Sequence, residues 1–118
     1  MILLPDGVKI FVASSPTDLR RSFDGLSALV RDIIKQDPLS GHIFVFRNKL
    51  GHRIKVLFWD RTGFVLWYKR LESGIFRLPV GHGAHVEVDA VQLRLLLDGI
   101  ALGGRRRRGG SAADAAQA

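Results

Sequence analysis

The sequence predicts a single α+β domain, and three observations predict it. Short apolar segments between His42 and Leu71 alternate with polar positions and are separated by Gly-bearing turns, which is the two-residue period of strands. One earlier stretch is different: Leu19, Phe23, Leu26, Val30 and Ile33 step by four and three, the period of a helix face. The chain has 118 residues, 47% apolar and 25% charged, which suits one folded domain with one real core. The expected architecture is an antiparallel β-meander of about four or five strands, backed by one long helix, with a short C-terminal helix. Residues 1–102 form the domain, and 103–118 form a flexible Gly/Arg/Ala-rich basic tail.

Taken in order, Val8 to Ala13 is rich in β-branched residues and reads as the first strand. Ser15 then suits an N-cap, Pro16 the first helical position and Asp18 the first turn, so the long helix is expected over 16–36. Gly25 interrupts it and implies close packing against a neighbour. Asp37-Pro38-Leu39-Ser40-Gly41 ends it. Strands follow at His42 to Arg47, Arg53 to Trp59 and Phe64 to Leu71, with turns at 48–52 and 60–63. Ile75 to Leu78 reads as a fourth strand of this run, stopped by Pro79, and His85 to Val88 as a last strand. Asp89 and Gln92 have capping-box spacing before a helical face of Val91, Leu95, Leu96 and Ile100, with Gly99 as the stop.

Lys and Arg number 18 against 11 Asp and Glu, a net charge of +7, which favours a polyanionic partner such as nucleic acid. The absence of cysteine excludes a disulfide framework, a thiol nucleophile and a zinc ribbon. The N-terminus lacks a basic region ahead of its short apolar run, and no stretch approaches the ~20 apolar residues of a span, so the expected setting is the cytoplasm with no membrane partner.

The cations concentrate between 47 and 77, and alternation sorts them by face. If Trp59 pairs with Phe64, then Lys55 meets Tyr68 and Arg53 meets Arg70. If Arg47 pairs with Arg53, then Val45 meets Lys55. One face then carries Ile43, Val45, Arg47, Arg53, Lys55, Leu57, Trp59, Phe64, Leu66, Tyr68 and Arg70. The other, with Phe44, Phe46, Ile54, Val56, Phe58, Val65 and Trp67, is the hydrocarbon core under the helix. A slip of one residue exchanges the faces. Arg47, Lys49, Arg53, Lys55 and Arg70 are candidate phosphate contacts, and Tyr68 and Trp59 candidate stacking platforms for an unpaired base. The run Arg105, Arg106, Arg107 and Arg108, between glycines, is a sequence-independent phosphate binder. The bland alternatives are a solvated sheet face and a solubilising tail.

His82 and His85 share a Gly loop without a carboxylate pair, and the acids are scattered. No metal site, cofactor or catalytic residue is expected, since metal-dependent cleavage needs two or three converging acids and no phosphate loop or nucleophile motif is present.

Three ordered motifs carry a resemblance. They are Pro16-Thr17-Asp18-Leu19-Arg20 with Phe23-Asp24-Gly25-Leu26; Val45-Phe46-Arg47-Asn48 with Arg53-Ile54-Lys55-Val56-Leu57; and Trp59-Asp60-Arg61-Thr62-Gly63-Phe64 running through Trp67-Tyr68-Lys69-Arg70-Leu71-Glu72-Ser73-Gly74-Ile75-Phe76. Over about residues 2–102 the chain resembles the small TnpB accessory proteins of bacterial insertion sequences of family sixty-six. The resemblance implies a non-enzymatic factor assisting transposition, with the element's separate transposase as a partner; element-end DNA, or a single-stranded intermediate, is the ligand expected from the sorting of the cations. The resemblance supplies no catalytic residues. The alternative is a protein-interaction module in which Leu57, Trp59, Phe64 and Leu66 dock on the transposase or on a second copy, without DNA binding.

Overall fold

The computed structural model describes residues 6–79 and 81–99. Its elements are β1 (Ile10–Ala13), α1 (Phe23–Leu29), β2 (Ile43–Arg47), β3 (Arg53–Trp59), β4 (Phe64–Arg70), β5 (His85–Val88) and α2 (Ala90–Leu97). They form an α+β unit around one five-stranded sheet of order β4-β3-β2-β1-β5.

The sheet is mixed, so the all-antiparallel meander holds only for β2-β3-β4. β1 and β2 run parallel, with Phe11 opposite Phe44, while β5 pairs antiparallel on the other side of β1. The cause is the connection: a parallel pair needs a long crossover, and the α1 segment provides one. The segment expected as a strand at Ile75 to Leu78 is irregular, although the Phe76 N–H donates to the Gly51 carbonyl at 2.7 Å. Gly51 holds φ +81, a conformation in which a side chain would be strained.

The long helix is shorter and starts later than expected. Ser22, not Ser15, precedes α1. Thr17 instead donates its N–H to the Arg47 carbonyl at 2.8 Å, and Asp18 turns its carboxylate onto the Arg20 N–H at 3.0 Å. Those bonds hold 17–20 as a turn. After Leu29 the helix widens into a π turn over Val30–Ile34, closed by Lys35 at φ 64, with the Gln36 N–H reaching the Val30 carbonyl. Leu19, Leu26, Val30 and Ile34 are buried; Phe23, at the late start of α1, is exposed, and the wider turn buries Ile34 in place of Ile33. Gly25 is tight as expected: a Cβ there would lie 3.0 Å from the Arg21 Cβ.

Each sheet face has its own cover. Beneath α1 lie Phe11, Phe44, Phe46 and Leu57; on the opposite face Ile10, Val12, Ile43, Val45, Ile54 and Val56 pack with Phe76, Val88, Leu93 and Leu96. Full burial of one such side chain contributes roughly 1.5–3 kcal/mol. The capping box of α2 is complete, with the Asp89 carboxylate accepting from the Gln92 N–H and the Gln92 side chain accepting from the Asp89 N–H, each at 2.8 Å. Leu93 and Leu96, rather than Val91, point inward, and Gly99 at φ +80 follows the helix. Ile100 and the 103–118 tail lie outside the described residues.

Candidate nucleic-acid interface

The β3–β4 hairpin has the expected register: Arg53 faces Arg70, Lys55 faces Tyr68, Leu57 faces Leu66 and Trp59 faces Phe64. The β2–β3 hairpin does not. Arg47 pairs with Ile54 and Val45 with Val56, one residue away from the Arg47–Arg53 pairing. Asn48 causes the slip. Its N–H donates to the Arg53 carbonyl, and its Oδ1 accepts from the Gly51 and Arg53 N–H groups at 3.0 Å, so Asn48 closes the ladder and the loop tightens around it.

The slip redistributes the proposed face. Ile43, Val45 and Arg47 go to the Val56 side, where Arg47 donates to the Asn48 carbonyl at 3.4 Å. Phe44 and Phe46 join the side of Arg53, Lys55 and Leu57, and α1 covers that side. Arg47 therefore lies across the sheet from Arg53.

What remains together is a cluster around Tyr68 at the β4 edge. The Arg53 Nη1 donates to the Tyr68 hydroxyl at 3.0 Å. The Lys55 Nζ sits 4.8 Å from the Tyr68 ring centroid and donates to the Arg21 carbonyl at 2.9 Å. Lys55 is only 7% exposed. A buried ammonium without partners is expensive, and the carbonyl together with the aromatic face offsets that cost. Lys55 is thereby a structural strut that fastens the approach to α1 onto β3, not an outward phosphate contact. Tyr68 stays 49% exposed. Arg70 is exposed and pairs with Glu72 at 3.0 Å, and Lys49 is exposed in the β2–β3 turn. Arg53 and Arg70, like charges directly opposite, turn away from one another onto Tyr68 and Glu72. The Arg53 Nε is buried without a hydrogen-bond partner.

Arg21 belongs to this neighbourhood through its carbonyl, and strand alternation held no signal for it because it precedes α1. Lys69 projects to the opposite face and donates to the Leu97 carbonyl at 2.8 Å, tying β4 to the end of α2. Arg105 to Arg108 lie outside the described residues.

The aromatic end is largely consumed by the fold. Leu57 is fully buried, Phe64 and Leu66 pack against the α1 core, and Trp59 meets Phe64 edge to face with ring centroids 5.1 Å apart. Near the start of α1, the Arg20 guanidinium chelates the Asp18 carboxylate and, with the Arg20 N–H, holds its pKa down at about 2. Among the described residues no three His, Cys, Asp or Glu gather to hold a metal, and no helix is long and apolar enough to cross a membrane.

The family model described as IS66 Orf2 like protein matches residues 8–107. Two relatives from Sinorhizobium fredii are similar over most of both chains. Uncharacterized protein y4hO is 38% identical over 100 residues, covering 83% of this chain and 87% of its own. Uncharacterized protein y4jC is 39% identical over 94 residues, covering 80% of each. No solved structure matches. The family match spans every strand and both helices described above: the chain belongs to the IS66 Orf2-like family, accessory proteins of insertion-sequence transposition.

Proposed function

We propose that this accessory protein acts without catalysis by holding nucleic acid of the element against the β3–β4 edge, close to the transposase. The observation that carries the reading is the shared position of Arg53, Tyr68 and Arg70 on one side of the edge hairpin, with Lys49 in the adjoining turn, in a chain of net charge +7. Arg53 and Arg70 neutralise phosphates, and the exposed part of Tyr68 offers a surface on which an unpaired base stacks. An arriving phosphate would also give the Arg53 guanidinium a stronger acceptor than a phenol oxygen. The Arg105–Arg108 run adds a second, sequence-independent hold. Arg47 and Lys55 leave the contact set, and Trp59 leaves the stacking set.

The protein-docking alternative is less well supported, because Leu57, Phe64 and Leu66 are spent on packing under α1. Fluorescence anisotropy with labelled element-end DNA, single-stranded and duplex, tests the proposal. R53A/R70A is expected to weaken binding by about tenfold or more, at roughly 1 kcal/mol or more per charged contact. Lys55→Met is expected to leave binding unchanged while lowering stability. Equal affinity of wild type and R53A/R70A would overturn the assignment of this edge, and transposase capture without any DNA binding would favour the docking alternative.

A further inference from the structure

We propose that β4 is a homodimer strand: two copies of the chain pair antiparallel along their β4 edges, about a two-fold axis at Trp67. The inference is independent of nucleic-acid binding. It starts from backbone parity. The Leu71 N–H donates to the His52 carbonyl at 2.8 Å, and the Asp60 N–H to the Gly63 carbonyl at 3.0 Å. Both pairs continue the β3–β4 register. Alternate residues from Gly63 to Leu71 thus turn their backbone groups toward β3, and Phe64, Leu66, Tyr68 and Arg70 turn theirs to the outer edge. Among the described residues no strand pairs with that edge. At seven residues it is the long edge of the sheet, with neither proline nor glycine; β5, the other edge, has four. Long unpaired edges without proline are templates for strand addition.

Charge selects a second copy as the occupant. β4 is apolar in its first half and cationic at its end, reading Phe-Val-Leu-Trp-Tyr-Lys-Arg. Antiparallel self-pairing centred on Trp67 sets each cation against an apolar residue of the other copy: Lys69 against Val65, and Arg70 against the ring of Phe64. The two cationic ends stay apart, so the pairing brings no like charges together. The same register uses every outward backbone group, forming about eight hydrogen bonds. Trp67 and Tyr68, among the largest exposed apolar side chains described, sit at its centre on opposite faces. A two-fold perpendicular to the sheet keeps equivalent faces on one side, so both Arg53–Tyr68–Arg70 clusters form one continuous surface.

The register makes a position-specific prediction that a cysteine-free chain can test directly. Trp67 meets its copy at a non-hydrogen-bonded position, where Cα atoms approach to about 4.5 Å, within disulfide range. Under mild oxidation of the full chain, Trp67→Cys is expected to form a disulfide dimer. Val65→Cys and Lys69→Cys should each form no disulfide-linked product alone and cross-link when mixed. Leu50→Cys, 74% exposed in the β2–β3 turn, should form none. Light scattering of the unaltered chain without DNA should give the mass of two chains. A single-chain mass at every concentration, no product from the Val65→Cys/Lys69→Cys mixture, or Trp67→Cys oxidising no faster than Leu50→Cys would overturn the proposal.

Discussion

Lys55 and Asp18 show how local partners decide what a charged residue does. In a strand pattern Lys55 is one cation among several. Its ammonium is nevertheless turned inward to the Arg21 carbonyl and the Tyr68 ring, and it is buried. Replacing it by methionine keeps the packing and leaves that carbonyl unpaired, a loss of about 1–3 kcal/mol in urea unfolding. Asp18 makes the opposite case, exposed and local. Its pKa falls from 3.8 to about 2 because the Arg20 side chain and N–H bind the carboxylate form. A folded pKa below the unfolded one means that the stabilisation is complete above pH 4 and is lost as pH falls toward 2. Solvent screening keeps that contribution small. An NMR titration of the Asp18 carboxyl should find its midpoint near 2, and Arg20→Ala should return it toward 3.8.

At the scale of elements, the two ends of the chain's helical content were unequally legible. The α2 start followed from Asp89 and Gln92 alone, because a capping box is written entirely in side chains three residues apart. Ser15, Pro16 and Asp18 imitate a helix N-terminus in the sequence, while one long-range bond, from the Thr17 N–H to the Arg47 carbonyl, and the Asp18–Arg20 turn override them. The π turn hid its register from a regular helical period. Two substitutions separate the alternatives: Ile34→Ala should cost about 2–5 kcal/mol and Ile33→Ala no more than about 0.5. Asp89→Ala should cost about 1 kcal/mol by the same denaturation measurement. The β3–β4 register was legible because the tight 60–63 turn fixes it. The β2–β3 register was not, because whether Asn48 belongs to the loop or the ladder depends on where its side-chain oxygen finds donors.

Across the whole molecule, that single slip changes the character of the sheet. With both faces covered, little open sheet face is left for a polyanion, and the proposed contacts fall to Arg53, Tyr68 and Arg70 at the β3–β4 hairpin. Of the cations that the sequence pattern groups, burial sets Lys55 aside and the β2–β3 register sets Arg47 aside, which leaves Arg53 and Arg70 beside Tyr68 for the proposed contact. The salt dependence of binding measures this selection most directly, since each phosphate contact adds to the slope of log affinity against log salt. For a fixed element-end duplex, R53A/R70A is predicted to lower that slope by about 2 relative to wild type, with K55M matching wild type. A slope unchanged by R53A/R70A, or lowered as much by K55M, would contradict the account.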